Sequence, residues 1–289
     1  MPSFSGHETF PLRFTWPAKA VEAVREDPGV FGSETAIATF GVGRNMVRSI
    51  RHWALATGVL APAGDGLAPT GLGAFVFGPG GADPYCEDPG THGWLHWRLC
   101  RDAERATLWH VVFGHGLGAG RALDLRTVGA AVAAWLAERR EAPPSESTLR
   151  RDLLCLVNTY APRPRQEIED AVASPLAGLG LLADGGAALA LRGGRRSPLP
   201  PAVFAHAVLD FWDRAHPEAE TLSVGQVLHA PGSPGRAFLL DEEQAFGLVT
   251  RAEALPSPPF RYAAAAGVEQ LYRAPGADAD AVLRQHYAA

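Results

Sequence analysis

The strongest constraint on the fold of this chain is a turn bracketed by two glycines and followed by an amphipathic segment, ATFGVGRNMVRSIRHWALATGVL, at residues 38–60. In a helix each residue advances by about 100°, so residues 44–56 would divide into two arcs. The apolar arc comprises Met46, Val47, Ile50, Trp53 and Ala54. The opposite arc comprises Arg44, Asn45, Arg48, Ser49, Arg51 and His52. The pattern predicts one face in the core and one cationic face open to a partner.

The flanking residues predict the elements on either side of this helix. A helix is expected over residues 17–26, and a short one over ETAIATF with Ser33 as its N-cap. Two short strands around Gly64-Asp65-Gly66 are expected to form a hairpin. Helix, tight turn, second helix and hairpin follow one another in a winged helix-turn-helix, whose second helix enters the major groove of DNA.

The cationic arc carries no neutralising acid, because no Asp or Glu lies between Phe40 and Gly64. A solvated helix face normally mixes both signs of charge. Arginine suits bidentate contact with guanine or phosphate, and asparagine suits adenine. The side chains that we expect to contact nucleic acid are Arg44, Asn45, Arg48, Arg51 and His52. A plain solvated surface or a protein-binding winged helix is the alternative.

The formal net charge of −5 excludes a general nucleic-acid coat, so any DNA contact must be local. Three cysteines in no framework spacing fit reduced thiols in a cytosol. No apolar run reaches 18 residues and the first residues do not form a signal peptide. We therefore expect a cytoplasmic protein that does not engage a membrane.

The middle of the chain repeats the first layout. LRTVGAAVAAWLAERR and TLRRDLLCLVNTYA predict two helices, and SPLAGLGLLADGGAALALRGG predicts a short helix and a hairpin that turns at Asp184-Gly185-Gly186. Arg150 and Arg151 lie near the start of the second of these helices and are further candidates for nucleic-acid contact. Neighbouring Glu146 and Asp152 favour local neutralisation of these two arginines instead.

The predicted fold is mainly α-helical with short β-hairpins, arranged as tandem winged helix-turn-helix units. The last hundred residues predict helices with one or two short strands. The predicted domains are an N-terminal winged-helix DNA-binding domain (1–80), a helical connector (81–120), a second winged-helix-like domain (121–197) and a C-terminal helical or winged-helix-like domain (198–289).

Two short acidic stretches are candidates for phosphodiester cleavage. They are His7-Glu8 in SGHETF and Glu87-Asp88 in CEDPG, of which His7, Glu8 and Asp88 are the catalytic candidates. Such cleavage needs carboxylates that hold Mg²⁺ or Mn²⁺ and a base that activates water. The alternatives are a helix cap spanning Ser5 to Glu8 and a turn over residues 87–90.

A possible zinc set combines Cys86, His92, His96 and Cys100, because a helix would place the last three on one face. The tryptophans beside them favour a core position instead. The chain contains no phosphate-binding loop, dinucleotide-binding glycine pattern, nucleophile elbow or CxxC pair. Nucleotide hydrolysis and sulfur-carrier chemistry are therefore not expected in this chain.

Several blocks, in order, resemble an uncharacterised-domain family encoded beside DNA phosphorothioation genes. The blocks are SGHETFPLRF, GVGRNMVRSIRHWALATGVL, EDPGT with LHW, TLRRDLLCLVNTY, SPLAGLGLL and PGSPGRAF. Together they span about residues 3–273. Within this family the chain is similar to the nicking component of the Ssp-type system, which places sulfur in one DNA strand. The resemblance implies a cytosolic protein that binds duplex DNA and nicks it with a divalent metal.

The resemblance also implies partners and site residues. The implied partners are double-stranded DNA, a cysteine desulfurase, an ATP-pyrophosphatase-like sulfur transferase and an ATPase. The family pattern includes His7, Glu8, Gly43, Asn45, Arg48, Arg51, Glu87, Asp88 and His96, and it does not include Cys86, His92 and Cys100 as a set. A homodimer is expected because a two-fold protein can present paired reading helices.

Two other functions stay open at this point. One is a non-enzymatic DNA-binding factor that recruits or regulates the modification machinery. The other is a protein–protein adaptor with Trp94, Trp97 and Trp212 at its interface.

Overall fold

The computed structural model describes residues 1–161, 174–184, 189–193, 199–265 and 267–288. Within these ranges the chain is mainly helical. Its helices are α1 (Trp16–Glu26), α2 (Ala36–Phe40), α3 (Arg44–Ala56), α4 (Gly71–Phe77), α5 (Pro89–Arg101), α6 (Thr107–Trp109), α7 (Leu125–Glu138), α8 (Glu146–Tyr160), α9 (Pro201–Ala215), α10 (Val224–His229), α11 (Pro234–Ala237), α12 (Glu242–Glu253) and α13 (Ala279–His286). Short 3₁₀ turns cover Val30–Gly32 and Pro175–Leu179, and a π-helical segment covers His110–Gly116.

The described strands form three small antiparallel sheets. They are β1 (Leu60–Ala63), β2 (Gly66–Pro69), β3 (Leu182–Asp184), β4 (Leu189–Leu191), β5 (Thr221–Ser223), β6 (Phe260–Ala265) and β7 (Val268–Arg273). Strand β1 pairs with β2, β3 pairs with β4, and the third sheet has the order β5-β7-β6. The predicted class, mainly α with short β-hairpins, is confirmed.

Helix α3 has the predicted bounds, because local signals fix both its ends. Gly41 ends α2 at φ 64°, a left-handed conformation, and Gly43 is the extended N-cap of α3. The apolar arc is buried except for Met46, which is half-buried. Ser49 was expected on the polar arc but is fully buried.

Two predicted boundaries near α3 were wrong. Helix α2 begins at Ala36 with Thr35 as its N-cap, two residues after the expected start. The Ser33 hydroxyl instead accepts a hydrogen bond from the Thr35 N–H and lies 2.7 Å from the Thr35 hydroxyl. The Gly- and Pro-rich composition of residues 75–89 predicts a loop or linker, but α4 runs to Phe77. The Thr70 side chain caps α4 by accepting a hydrogen bond from the Gly73 N–H.

The middle region follows the predicted order of two helices and a hairpin. Helix α8 starts at Glu146, earlier than expected, because the Ser145 side chain caps it. Strands β3 and β4 form the hairpin, although most of its expected turn at Asp184-Gly185-Gly186 lies outside the described residues. In the C-terminal region, the FRYAAAAGVEQLYR segment forms β6 and β7. That all these units are winged helices stays a prediction.

Helix α5 lies in the centre of the core, although it belongs to the segment that we expected to be a connector. Its residues from Gly90 to Cys100 are buried with the exception of Arg98, which is half-buried. Asp210 of α9 joins the two helices, since its carboxylate accepts hydrogen bonds from Trp97 Nε1 at 3.0 Å and from Arg101. No helix in the described ranges combines the length and apolarity needed to cross a membrane.

Candidate nucleic-acid interface

The cationic face of α3 lies open at the surface. Arg44, Asn45, Arg48 and Arg51 are exposed. The contact with an acid that the structure describes for these arginines is between Arg48 Nη1 and Glu8 Oε1, at 3.4 Å. Because this pair is longer than a well-formed charged hydrogen bond of about 2.8 Å, the face keeps its positive character.

The segment SGHETF forms a tight loop against this face, with unusual backbone conformations. Ser5, Glu8 and Thr9 all have positive φ, at 62°, 49° and 72°. Each left-handed residue other than glycine costs on the order of 1–3 kcal/mol and persists only where the surroundings fix it. The surrounding contacts therefore hold the loop in this conformation. The alternative expected from the sequence, a helix cap, does not occur, because no helix follows Ser5 directly.

A buried anchor holds the loop from inside. The His7 side chain is almost fully buried, and its Nδ1 accepts a hydrogen bond from the Thr9 N–H at 3.1 Å. Its Nε2 lies 3.2 Å from Asp152 Oδ1, at an angle too oblique for a good hydrogen bond. Asp152, on α8, also accepts hydrogen bonds from the Ser5 N–H at 3.0 and 3.1 Å and from the Ser5 hydroxyl at 3.2 Å.

The other end of the loop is fixed to α3. Trp53 Nε1 donates a hydrogen bond to the Phe10 carbonyl oxygen at 2.9 Å. The His7 ring also packs against the rings of Trp53 and Trp109, with centroid distances of 6.3 and 5.8 Å. Both anchors position Glu8, whose side chain is 32% exposed, beside Arg48.

His52 differs from the arginines of its face. It is half-buried, and a Cβ on Gly6 would lie 2.4 Å from its Nδ1, so only glycine allows the loop to approach this closely. Burial, followed by the charge of His7, lowers the pKa of His52 to about 3. His52 is therefore neutral at pH 7 and does not add to the positive charge of the α3 face.

Asp88 lies in a second environment with a partner that sequence analysis missed. It caps α5 by accepting a hydrogen bond from the Gly90 N–H, and His286 Nε2 lies 2.6 Å from its Oδ1. Burial raises the pKa of Asp88, but the bonds with His286 and Gly90 outweigh this effect and hold the pKa below its ordinary 3.8. A Cβ on Gly90 would lie 2.3 Å from His286 Nε2, which explains the glycine of EDPG.

The two environments lie at opposite ends of α5. Asp88 precedes its first residue, whereas Arg105, just beyond its last, donates a hydrogen bond to the Leu55 carbonyl oxygen of α3 at 3.2 Å. A helix of 13 residues is about 20 Å long. The structure thus brings together His7, Glu8, Arg48 and His52, but not Asp88. Among the described residues no three His, Cys, Asp or Glu side chains are grouped to hold a metal ion.

The residues of the possible zinc set are engaged in the core. His92 Nε2 lies 2.7 Å from the Cys86 carbonyl oxygen. His96 lies between the Tyr160 hydroxyl and the Ala237 carbonyl oxygen, at 2.7 Å from each. Burial raises the pKa of the Cys86 and Cys100 thiols, which disfavours the thiolate form that zinc needs.

The arginines of α8 are held by their own helix. Arg150 Nη2 lies 2.8 Å from Glu146 Oε1, and Arg151 Nε donates to the Ser147 carbonyl oxygen at 3.4 Å. Local neutralisation of Arg150 is what the sequence favoured.

Comparison with known proteins identifies a family for this chain and two similar crystal structures. The family model described as "Protein of unknown function (DUF4007)" matches residues 4–287. A crystal structure of SspB and a magnesium ion-bound crystal structure of SspB are both similar to the chain. Each gives a TM-score of 0.88 at 28% identity, covering 100% of this chain and 88% of the SspB chain. No curated protein sequence matches. The family resemblance expected from the sequence is confirmed.

Proposed function

Because the chain belongs to the DUF4007 family and is SspB-like along its whole length, we propose that it binds duplex DNA and nicks it within a DNA phosphorothioation system. The observation that carries the proposal is the position of Glu8. This carboxylate lies on a strained, doubly anchored loop directly beside the exposed arginines of α3.

The arginines supply the DNA contact in this proposal. Arg44, Arg48 and Arg51 are spaced so that they share one face of α3, where their guanidinium groups can pair with phosphates or guanine. Asn45 beside them is a candidate for adenine. Each phosphate contact would release counterions and make the affinity salt-dependent.

Glu8 is the catalytic candidate that can reach a phosphate held by Arg48. Its carboxylate would accept a proton from the attacking water, while Arg48 would stabilise the charge that develops on the phosphate. The new bond joins the water oxygen to phosphorus and the bridging P–O bond breaks. The leaving oxygen takes a proton from solvent water, so the products are one terminal phosphate and one terminal hydroxyl. We assign His7 a positioning role, because its buried ring cannot reach DNA.

A divalent metal, Mg²⁺ or Mn²⁺, belongs to the proposal through the sequence resemblance and the magnesium ion-bound SspB neighbour. The described residues do not fit a protein-only metal centre. We therefore assign no step to the ion. Asp88 stays a separate catalytic candidate, because it does not lie beside Glu8.

The remaining parts of the proposal concern partners. We propose that the protein acts in the cytoplasm with a cysteine desulfurase, an ATP-pyrophosphatase-like sulfur transferase and an ATPase. We also propose that it acts as a homodimer.

Incubation of supercoiled plasmid with the pure protein and Mg²⁺ or Mn²⁺ tests the proposal. The wild-type protein should yield open circles, and Glu8→Gln should reduce the rate by about 100-fold or more, the usual contribution of a general base. Arg150→Ala, which changes an exposed arginine of α8, is the matched control and should nick normally. Asp88→Asn tests the second environment. Wild-type rates for Glu8→Gln would remove Glu8 from the mechanism.

A non-enzymatic DNA-binding or recruitment factor is the second candidate function. It is favoured by the placement of the described side chains, among which no three His, Cys, Asp or Glu residues are grouped to hold a metal ion. Salt-sensitive duplex binding without open circles in either metal would support it over the nickase.

A further inference from the structure

A cleft of about 320 Å³ opens where the second half of α3 meets the first residues of the chain and the turn after α5. It is lined by Ser3, Gly6, Arg48, Arg51, His52, Leu55, Glu104 and Arg105. It adjoins the exposed α3 face but is concave, whereas that face is an open ridge. Three of its lining residues are arginines, so the cleft is suited to an anion.

Arg105 gives the cleft a cationic wall that does not come from α3. It lies in the turn after α5 and donates a hydrogen bond from Nη1 to the Leu55 carbonyl oxygen at 3.2 Å. Its Nε lies 3.6 Å from Asp102 Oδ2. Arg105 and α3 therefore reach the cleft from two different parts of the fold, and the Leu55 contact holds their spacing.

The carboxylates near the cleft leave these guanidinium groups available. The Arg105–Asp102 and Arg48–Glu8 separations, 3.6 and 3.4 Å, exceed the roughly 2.7–2.9 Å of strong charged hydrogen bonds. Glu104, which also lines the cleft, is exposed, and its Oε1 lies 2.9 Å from the Met1 ammonium group, which neutralises it. Arg51 has no acidic partner among the described residues, and neutral His52 adds no charge. An entering anion can thus bind these arginines without breaking a strong ion pair.

We propose that this cleft binds the terminal phosphate of a nicked strand; this inference rests on the proposed function. An internal phosphodiester carries one negative charge and continues in both directions, so it suits the open face of α3. A terminal phosphate carries about 1.5 to 2 negative charges at pH 7 and ends one strand, so it can enter a pocket. Two or three guanidinium groups match its oxygens bidentately.

The consequence is that the protein retains its product. After hydrolysis, the phosphate end would stay in the cleft, while Arg44 and Asn45, which do not line the cleft, keep the intact part of the duplex on α3. The nick would then be presented to the next enzyme in an open form rather than released and resealed.

The test compares four duplexes of one sequence by fluorescence anisotropy in EDTA, so that no cleavage occurs during the measurement. The first is intact, the second has a nick with two hydroxyl ends, the third has a 5′-phosphate at the nick and the fourth has a 3′-phosphate. The wild-type protein should bind one phosphate-bearing nick about 10-fold more tightly than the hydroxyl nick. Millimolar inorganic phosphate should reduce this preference.

The key variant is Arg105→Ala, with Arg25→Ala at an exposed position on α1 as the matched control. Arg105→Ala should bring the phosphate preference to within twofold while affinity for the intact duplex is kept, and Arg25→Ala should leave both unchanged. If Arg105→Ala unfolds, Arg105→Lys keeps a charge but loses the bidentate geometry, and it should lower the preference at least threefold.

The outcomes separate this inference from the proposed function. Equal binding of all three nicked duplexes by a protein that still binds the intact duplex overturns the terminal-phosphate site alone. A phosphate preference that survives in Arg105→Ala or in folded Arg105→Lys overturns it as well. No binding to any duplex overturns the proposed function and this inference together.

Discussion

Helices α3 and α8 look alike in the sequence, yet their arginines have different surroundings. Both follow a turn, both precede a hairpin, and both carry arginines that we expected to contact nucleic acid. On α3 the arginines are exposed, with one loose contact to Glu8. On α8, Arg150 is paired with Glu146 on its own helix at 2.8 Å. The acidic side chains near a helix, rather than the number of its arginines, therefore decide whether the helix presents a cationic face.

The buried side of α8 shows what this helix does for the site instead. Its Asp152 holds the Ser5 backbone and lies against His7, so α8 fixes the loop that carries Glu8 to α3. One helix presents arginines to the solvent and the other anchors the loop beside them. The predictions below test this division, starting with the largest effect.

Removal of the anchor should have the largest effect on stability. Asp152→Ala leaves the Ser5 N–H and hydroxyl without their acceptor, which should lower the free energy of unfolding by about 3 kcal/mol. Arg151→Ala, at the next residue of the same helix, should change it by less than about 0.5 kcal/mol. Chemical denaturation of both variants measures the difference. Equal losses would contradict the anchoring role of α8.

Loss of the α3 arginines should weaken duplex binding. The double variant Arg48→Ala/Arg51→Ala should lose roughly 10- to 100-fold in affinity, and the slope of log affinity against log salt should fall by about two, one for each phosphate contact. The double variant Arg150→Ala/Arg151→Ala should stay within about twofold of the wild type. Anisotropy titrations at several salt concentrations measure both. A similar loss of affinity in the two double variants would contradict the assignment of DNA contact to α3 rather than α8.

The neutral state of His52 should appear as a pH dependence of stability. Its pKa is about 3 in the folded protein and 6.5 ordinarily, so the unfolded chain binds more protons between these values. Stability should therefore fall as the pH drops from 6.5 towards 3, by about 1 kcal/mol per pH unit after allowance for partial exposure. His52→Gln removes this contribution. The difference in free energy of unfolding between the wild type and His52→Gln should therefore change with pH. A difference that stays constant over this range would mean that the fold does not lower the pKa of His52.

The smallest effect is expected at the far end of α5. Asp88→Asn should lower the free energy of unfolding at pH 7 by less than about 1 kcal/mol, because this carboxylate is partly exposed. Its folded pKa is depressed, so the contribution is present above the ordinary 3.8 and is lost as the pH falls through the folded value. Denaturation of both proteins at pH 7 and pH 2.5 checks this. A larger loss at pH 2.5 would contradict the assigned pKa direction.

The sequence predicted the parts of the site that depend on local signals. Gly41 and Gly43 fix the start of α3, and the spacing of its arginines predicts their exposed face. The anchoring of the loop could not be predicted, because Asp152 lies 147 residues from Ser5. The same holds for His286, which lies 198 residues from Asp88. No local pattern assigns such partners, since tertiary packing alone brings them together.

The hairpin β6-β7 shows the same limit for the fold. Its alanine-rich first strand has no strong strand propensity. It forms because Phe260 and Leu271 are buried and because β7 lies between β5 and β6. Strand β5 ends 45 residues before β7 begins, so local patterns in the sequence predicted only one or two strands in this region.

Site-specific crosslinking tests most directly which helix lies against DNA. The three native cysteines are buried, so a cysteine introduced at the surface can carry a photo-crosslinker selectively. Asn45→Cys places the label on α3, and Ser147→Cys places it at the exposed start of α8. We expect strong crosslinking of duplex DNA from position 45 and only background crosslinking from position 147. Equal crosslinking from both positions, or crosslinking from position 147 alone, would contradict this expectation.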